Sequence, residues 1–220
     1  MRILAFRGSP RPKGNSSAML EEFLRGAQDG DAQIENIAVQ NIHLQYCTGC
    51  LKCNLLQRCA IRNDDWQQLS QQILAADVLV FASPIYFHHF PAPVKKILDR
   101  FRSFMQVQIT EYGLKHTPWQ EWRKHFVLLL ALGSPLPDDA QPIIDLFNFM
   151  IEVLGSENKL SVIIGTRLAV ANQVRLSLEE LQLLYTKLKL PAALAMPDYR
   201  QNQTTLANCY RLGQIIALRD

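Results

Sequence analysis

The chain opens Met1-Arg2-Ile3-Leu4-Ala5-Phe6-Arg7-Gly8-Ser9-Pro10-Arg11-Pro12-Lys13-Gly14-Asn15-Ser16-Ser17, and the reading of this stretch decides the fold. Residues 2–6 are short and apolar and stop at Gly8-Ser9-Pro10, the pattern of a buried strand whose end feeds a loop. From Ser17 the apolar residues Met19, Leu20, Phe23, Leu24 and Ala27 recur at helical spacing. A turn at Asp29-Gly30-Asp31 then leads into Gln33 to Val39, which reads as a second strand. Strand, ten-residue polar loop, amphipathic helix and strand make a βαβ beginning.

The same alternation runs down the chain. Asp64 or Asp65 is placed to cap a helix carrying Trp66, Leu69, Ile73 and Leu74, and residues 77–83 form a third strand. Pro91 and Pro93 punctuate the start of a helix with Val94, Ile97, Leu98, Phe101 and Phe104. Phe126 to Leu132 is a fourth strand, Ile143 to Leu154 a helix and Leu160 to Gly165 a fifth strand. Helical patterns at Leu178 to Leu190 and Leu206 to Leu218, separated by Pro191 and Pro197, close the chain. Nearly all-apolar strands alternating with helices indicate an α/β fold, with a parallel sheet covered on both faces. No internal repeat or linker interrupts it, so residues 1–220 are expected to form a single domain. Ligands of such sheets bind where loops leave the strand ends, here after Phe6, Val39, Ala82, Leu132 and Gly165.

Composition narrows the function. Of 220 residues 48% are hydrophobic and 20% charged, which excludes disordered and low-complexity classes. Twenty-three basic against 20 acidic residues give a dispersed net charge of +3, so no nucleic-acid partner is expected. The longest apolar run, Phe126 to Leu132, is far short of the roughly 20 residues a membrane helix needs. The N-terminus lacks the apolar stretch of a secretory signal, and a cytoplasmic location is expected. Five cysteines are too few for a disulfide scaffold, yet four of them crowd between Cys47 and Cys59.

Two loops carry candidate chemistry. Gly8 to Ser17 has neither the G-x-G-x-x-G nor the G-K-[ST] signature of nucleotide loops. It does put three hydroxyls, an amide and two cations between a strand and a helix N-terminus, where free N–H groups and the helix dipole favour an anion. A solvated turn whose Asn15 or Ser16 merely caps the helix would have similar composition; position and composition together favour a phosphate monoester. The second loop, Ser83-Pro84-Ile85-Tyr86-Phe87-His88-His89-Phe90-Pro91, either packs its aromatics into the core or holds a flat ring. Pro84 would stiffen it, with the following N–H groups addressing a heterocycle's polar edge. Adjacent His88 and His89 do not form a helical metal pair.

Together these residues resemble the flavodoxin-like NAD(P)H-dependent FMN reductases, and within them the iron-sulfur flavoproteins. Three motifs carry the likeness over roughly the first hundred residues: Gly8-Ser9-Pro10-Arg11 through Asn15-Ser16-Ser17; Cys47-x2-Cys50-x2-Cys53-x5-Cys59 followed by Asp64-Asp65; and Ser83-Pro84-Ile85-Tyr86-Phe87 through Lys95 and Asp99-Arg100. The resemblance implies a three-layer sandwich with a five-stranded parallel sheet in the order 2-1-3-4-5 and FMN at the strand ends. It places the FMN phosphate on Ser9, Arg11, Asn15, Ser16 and Ser17, the isoalloxazine against Pro84, Ile85, Tyr86 and Phe87, and the Gly133-Ser134 turn on the ring's other edge. His88 stands where the family usually has a small residue. The turn after the fourth strand reads Ala131-Leu132-Gly133-Ser134-Pro135, without the family's glycine run. A further helical segment, 175–220, follows the matching region; its stretch 175–197 has no counterpart there, whereas Leu206 to Leu218 looks like the family's closing helix.

C-x2-C-x2-C-x5-C is close to the compact spacing of bacterial ferredoxins, whereas structural zinc usually takes two separated pairs. A [4Fe-4S] cluster on Cys47, Cys50, Cys53 and Cys59 is the sharper expectation. Packing thiols, a labile redox pair and zinc are the alternatives. Cys209 reads as a core residue. The expected function is hydride transfer from NAD(P)H to FMN and on to a quinone, free flavin or other acceptor, with no protein acid or base named for the hydride step. The alternative is an electron carrier linking a ferredoxin-like partner, the cluster and FMN; a cofactor-free metal-binding module is a third class. The family implies a homodimer or homotetramer.

Overall fold

A computed structural model describes every residue except Pro12, Arg219 and Asp220. Pro12 of the first loop and the last two residues of the 175–220 segment therefore lie outside the described residues. Along the chain run β1 (Arg2–Arg7), α1 (Asn15–Gln28), β2 (Gln33–Ala38), a short α2 (Cys53–Leu56), α3 (Trp66–Ala75), β3 (Val78–Pro84) and α4 (Ala92–Arg100). Then follow β4 (Met105–Thr110), β5 (Gly113–Pro118), β6 (His125–Ala131), α5 (Gln141–Leu154), β7 (Lys159–Gly165), α6 (Leu178–Lys187) and α7 (Ala195–Ala217). The main sheet has five strands in the order β2-β1-β3-β6-β7, all parallel, which is the expected 2-1-3-4-5 arrangement once the β4–β5 pair is set aside.

Alternation along each strand splits the core in two, because successive side chains point to opposite faces. Leu4, Phe6, Leu79, Phe81, Phe126, Leu128 and Leu130 pack with α3, α4 and α5 on one face. Ile3, Ala5, Val78, Val80, Val127 and Leu129 pack with α1 and α7 on the other. Stacked rings of Phe6 and Phe81, 4.9 Å apart, and an edge contact of Phe81 with Phe147 fill the first layer. Cys209 is buried between α1 and α7, as expected of a core thiol.

Several elements differ from the sequence reading, four of them with structural consequences. Helix α1 begins at Asn15, so Ser16 and Ser17 lie within its first turn. The helix expected through Phe104 ends at Arg100 and tightens into a 3-10 turn over Phe101–Phe104, burying both phenylalanines. Residues 105–118 form an antiparallel hairpin, whose sequence signal is the alternation Met105-Gln106-Val107-Gln108-Ile109 followed by Gly113, which takes φ +127° in the structure. Helix α7 starts at Ala195 because Pro197 sits in its first turn, where a missing N–H costs nothing.

The added segment is anchored by a buried polar knot. The Tyr185 hydroxyl donates to Asp198 Oδ2 at 2.6 Å and Arg167 Nε donates to Asp198 Oδ1 at 3.1 Å, joining α6, α7 and the loop after β7. Burial and the Asp198 contact push the Tyr185 phenol up to about 12 from 10. Between those values the unfolded chain has lost a proton that the folded chain keeps, so stability falls as pH rises through 10–12, by roughly 1.4 kcal/mol per pH unit. Tyr185→Phe should flatten the urea-unfolding free energy across that window; an equally steep decline in the variant would assign the effect elsewhere.

Candidate functional site

The strand ends meet in one cleft. Gly8 N–H extends the β1–β3 pairing by donating to Ala82 O at 2.7 Å, and the chain then turns through Ser9, whose hydroxyl both donates to Arg11 O and accepts from Arg11 N–H at 3.2 Å. Gly14 closes this turn against Ser9: a Cβ there would stand 2.2 Å from Ser9 Oγ. The next residues start α1, so the N–H groups of Asn15, Ser16 and Ser17 have no intrahelical acceptors. Among the described residues the buried hydroxyls of Ser16 and Ser17 have no hydrogen-bond partner. Three free amides and two orphaned hydroxyls at a helix N-terminus, beside the exposed Arg11, fit a phosphate group.

Of the ten residues assigned to FMN by resemblance, Ser9, Arg11, Asn15, Ser16, Pro84, Ile85, Tyr86 and Gly133 line this cleft, which encloses about 100 Å³. Ser17, buried in the first turn of α1, is not among them. Phe87 does not wall the cleft at all; its side chain is fully exposed. The reason is a tight turn in which Tyr86 and His89 exchange both backbone hydrogen bonds, at 2.8 and 3.0 Å, with φ of +49° at Phe87 and +60° at His88. Such turns normally use Gly or Asn, so this one holds two bulky residues in strained backbone and aims Phe87 outward. His88 Nδ1 lies 3.3 Å from Asp139 O, on the segment leading into α5. His89 accepts from Phe90 N–H at 2.9 Å, and burial, helped by the Lys95 charge, lowers its pKa.

Gly14, Ala131, Leu168 and Ala169 line the cleft without having been assigned. Gly14 was legible as part of the loop. Leu168 and Ala169 carry no local signal; they arrive through long-range hydrogen bonds. Asn15 Nδ2 donates to Leu168 O at 3.0 Å and Val170 O at 2.8 Å, its Oδ1 accepts from Val174 N–H at 3.0 Å, and Arg11 donates to Ala169 O at 3.1 Å. The Asn15 side chain is thus committed to holding the loop after β7, leaving its backbone N–H for an anion.

The cysteine loop forms a second hollow. Its neck is closed by the acidic pair: Asp65 accepts from His43 N–H at 2.7 Å, and Asp64 accepts from Gln45 N–H at 3.1 Å and Trp66 N–H at 3.2 Å. Arg100, wholly buried, donates to Asp64 Oδ2 at 2.6 Å and Gln45 O at 2.9 Å and lies over the Trp66 ring at 5.1 Å. Burial alone would push the Asp64 carboxyl up; Arg100 and the two amides overcome it and hold it below the ordinary range. Asn54 fastens α2 to the hairpin through Val107 N and O at 3.1 and 2.9 Å.

Cys47, Cys50, Cys53 and Cys59 line one largely apolar cavity of about 220 Å³, walled below by Arg100, Arg102 and Ser103. All four are free thiols. Burial pushes the Cys53 thiol up, opposed by Arg102, whose Nη1 stands 3.6 Å from Cys53 Sγ; the Lys52 amide draws the exposed Cys50 down. Among the described residues no three His, Cys, Asp or Glu side chains are grouped so as to hold a metal ion. No described helix is long and apolar enough to cross a membrane.

Known proteins share this architecture. The NAD(P)H:quinone oxidoreductase from Methanothermobacter marburgensis superposes with a TM-score of 0.66 at 15% identity, covering 98% of each chain. An FMN-dependent NADH-azoreductase from Bacillus anthracis, solved with FMN, gives 0.59 at 15% identity over 99% of this chain and 98% of that one. At these identities the likeness shows the fold. In sequence, an iron-sulfur flavoprotein of Archaeoglobus fulgidus is 27% identical over 61% of this chain and 57% of its own length. One from Methanocaldococcus jannaschii is 31% identical over 46% and 52%. The match therefore spans about half the length of these relatives. Residues 1–150, which contain β1 through most of α5 and both loops of the cleft, match the NADPH-dependent FMN reductase family, and the chain belongs to that family.

Proposed function

We propose that the chain is a single-domain FMN-dependent oxidoreductase that takes hydride from NAD(P)H and delivers electrons to a quinone, a flavin or another acceptor. The observation that carries this reading is the pair of orphaned hydroxyls, Ser16 and Ser17, under the free amides of α1. Bound FMN supplies the hydride chemistry itself. The chain's part is to bind and orient. Ser9, Arg11, Ser16, Ser17 and the first-turn amides hold the phosphate. Pro84, Ile85, Tyr86 and Gly133, which line the same cleft as the phosphate loop, would flank the ring. No side chain is required as acid or base in the hydride step.

Anaerobic titration tests this. Protein reconstituted with FMN should lose its visible flavin absorbance on adding NADPH or NADH; a chain that cannot retain FMN overturns the reading. Arg11→Ala should weaken FMN binding about 10- to 100-fold, as expected for losing one charge-assisted contact to phosphate. Unchanged affinity would remove Arg11 from the phosphate site.

A second reading is supported by the four cysteines around one cavity and by the relatives called iron-sulfur flavoproteins. Thiols spread around a 220 Å³ hollow suit a group larger than one ion, such as a [4Fe-4S] cluster, whose thiolates sit on separate irons. The same spread is unsuited to tetrahedral zinc, which draws sulfurs to about 2.3 Å from one centre. In this reading the chain is an electron carrier with a ferredoxin-like partner. A homodimer or homotetramer is part of the proposal, supported by the exposed Ile109, Tyr112 and Leu114 of the hairpin and Phe149 of α5. Five free thiols suit the reducing cytoplasm.

A further inference from the structure

Asp99-Arg100 belongs to the motif whose resemblance points to the flavin edge, yet Arg100 turns away from the cleft and forms part of the wall of the cysteine cavity. Its side chain is 0% exposed. Nη1 is taken by Asp64 Oδ2 and Gln45 O, and Nη2 by Asp64 Oδ1 at 3.4 Å. Nε–H has no acceptor among the described residues. A buried guanidinium N–H left unmet is costly and calls for a partner. Water is a poor candidate, because a largely apolar hollow offers it too few polar neighbours. Sulfur is what the cavity does offer, and a neighbouring guanidinium, Arg102, already meets Cys53 Sγ at 3.6 Å.

We propose that Arg100 Nε–H donates to a sulfur of an iron-sulfur cluster held by Cys47, Cys50, Cys53 and Cys59, and so sets the cluster's reduction potential. The inference rests on the iron-sulfur reading above. Reduction adds negative charge to a cluster, so a donor to its sulfurs favours the reduced state and raises the potential. The Asp64 ion pair holds the guanidinium in place and cancels its net charge, leaving the directed N–H as the tuning element.

The test is anaerobic reconstitution of the full chain with iron and sulfide, followed by iron and sulfide analysis and redox titration. The wild type is compared with the Arg100→Met, Asp64→Asn double variant. That replacement exchanges a neutral pair for a neutral pair, avoids a stranded buried charge and keeps one acceptor oxygen for the Gln45 or the Trp66 N–H, which use different oxygens of Asp64. We expect about four irons per chain in both proteins and at least a tenfold loss in the one-electron reduction equilibrium of the variant, a midpoint about 59 mV lower. Equal midpoints at equal iron content overturn the role of Arg100 and leave the cluster standing. A wild type that takes up no iron overturns the cluster reading and this inference with it. Should the double variant fail to fold, electron-nuclear double resonance on the reduced Arg102→Lys variant labelled with 15N-arginine decides, because that change removes the other guanidinium beside Cys53 Sγ: coupling to a guanidinium nitrogen supports the contact, and its absence in a cluster-loaded sample overturns it.

Discussion

Changing Ser16 and Ser17 together to alanine should weaken FMN binding at least about a hundredfold and, in the same protein, raise the melting temperature of the FMN-free form. Both effects come from one feature: each residue is 1% exposed and its hydroxyl has no partner among the described residues. A hydrogen bond to a charged phosphate contributes about 1.5–3 kcal/mol, so losing two removes roughly 3–6 kcal/mol of binding. Without FMN the same hydroxyls are a liability, since a buried unsatisfied group costs about 1–3 kcal/mol, and alanine is the better helix former. A net gain of even 1 kcal/mol moves the melting point up by about 2–4 °C in a chain of this size. Calorimetry of the FMN-free proteins, paired with fluorescence titration of FMN, reads both. Unaltered FMN affinity would mean the phosphate sits elsewhere, and a lower melting point would mean the hydroxyls have partners in solution.

The largest stability effect is expected where α1 crosses α7. Gly26 and Gly213 face each other's helix backbones: a Cβ on Gly26 would stand 2.0 Å from Tyr210 O, and one on Gly213 would stand 2.0 Å from Phe23 O and 2.9 Å from Ala27 N. The two backbones touch, leaving no flexible side chain to yield. Gly213→Val must therefore pry the helices apart and open the seam that buries Cys209 and Ile216. A loss of at least about 3 kcal/mol is expected, which corresponds to a melting point lower by roughly 6–12 °C. Because α1 also carries the phosphate-binding turn at its other end, FMN should protect the variant less than the wild type. A melting point within 2 °C of wild type would show that the seam tolerates separation.

Much of this architecture is legible in the sequence alone. The strand at 2–6, the apolar runs at 77–83 and 126–132 and the amphipathic helices between them follow from periods of two and 3.6, which are local properties of the chain. The order of the sheet came from family resemblance, since periodicity does not choose neighbours. The hairpin at 105–118 carries its signal in a plain alternation of apolar and polar residues, and Asn15, Ser16 and Ser17 form the first turn of α1 although their composition is that of a loop.

By itself the sequence determined the α/β alternation, the phosphate-like loop, the aromatic loop and the crowding of four cysteines. Each depends on residues within about a dozen positions of one another, where spacing translates directly into geometry. The tertiary structure decided what those segments meet: Asn15 with residues 168–174, Arg100 with Asp64 and the cysteine cavity, Gly26 and Gly213 with the opposite helix, and Phe87 turned to solvent. Hydrogen-bond partners, burial and close backbone approach are set by which surfaces the folded sheet brings together. No local pattern encodes a partner 150 residues away.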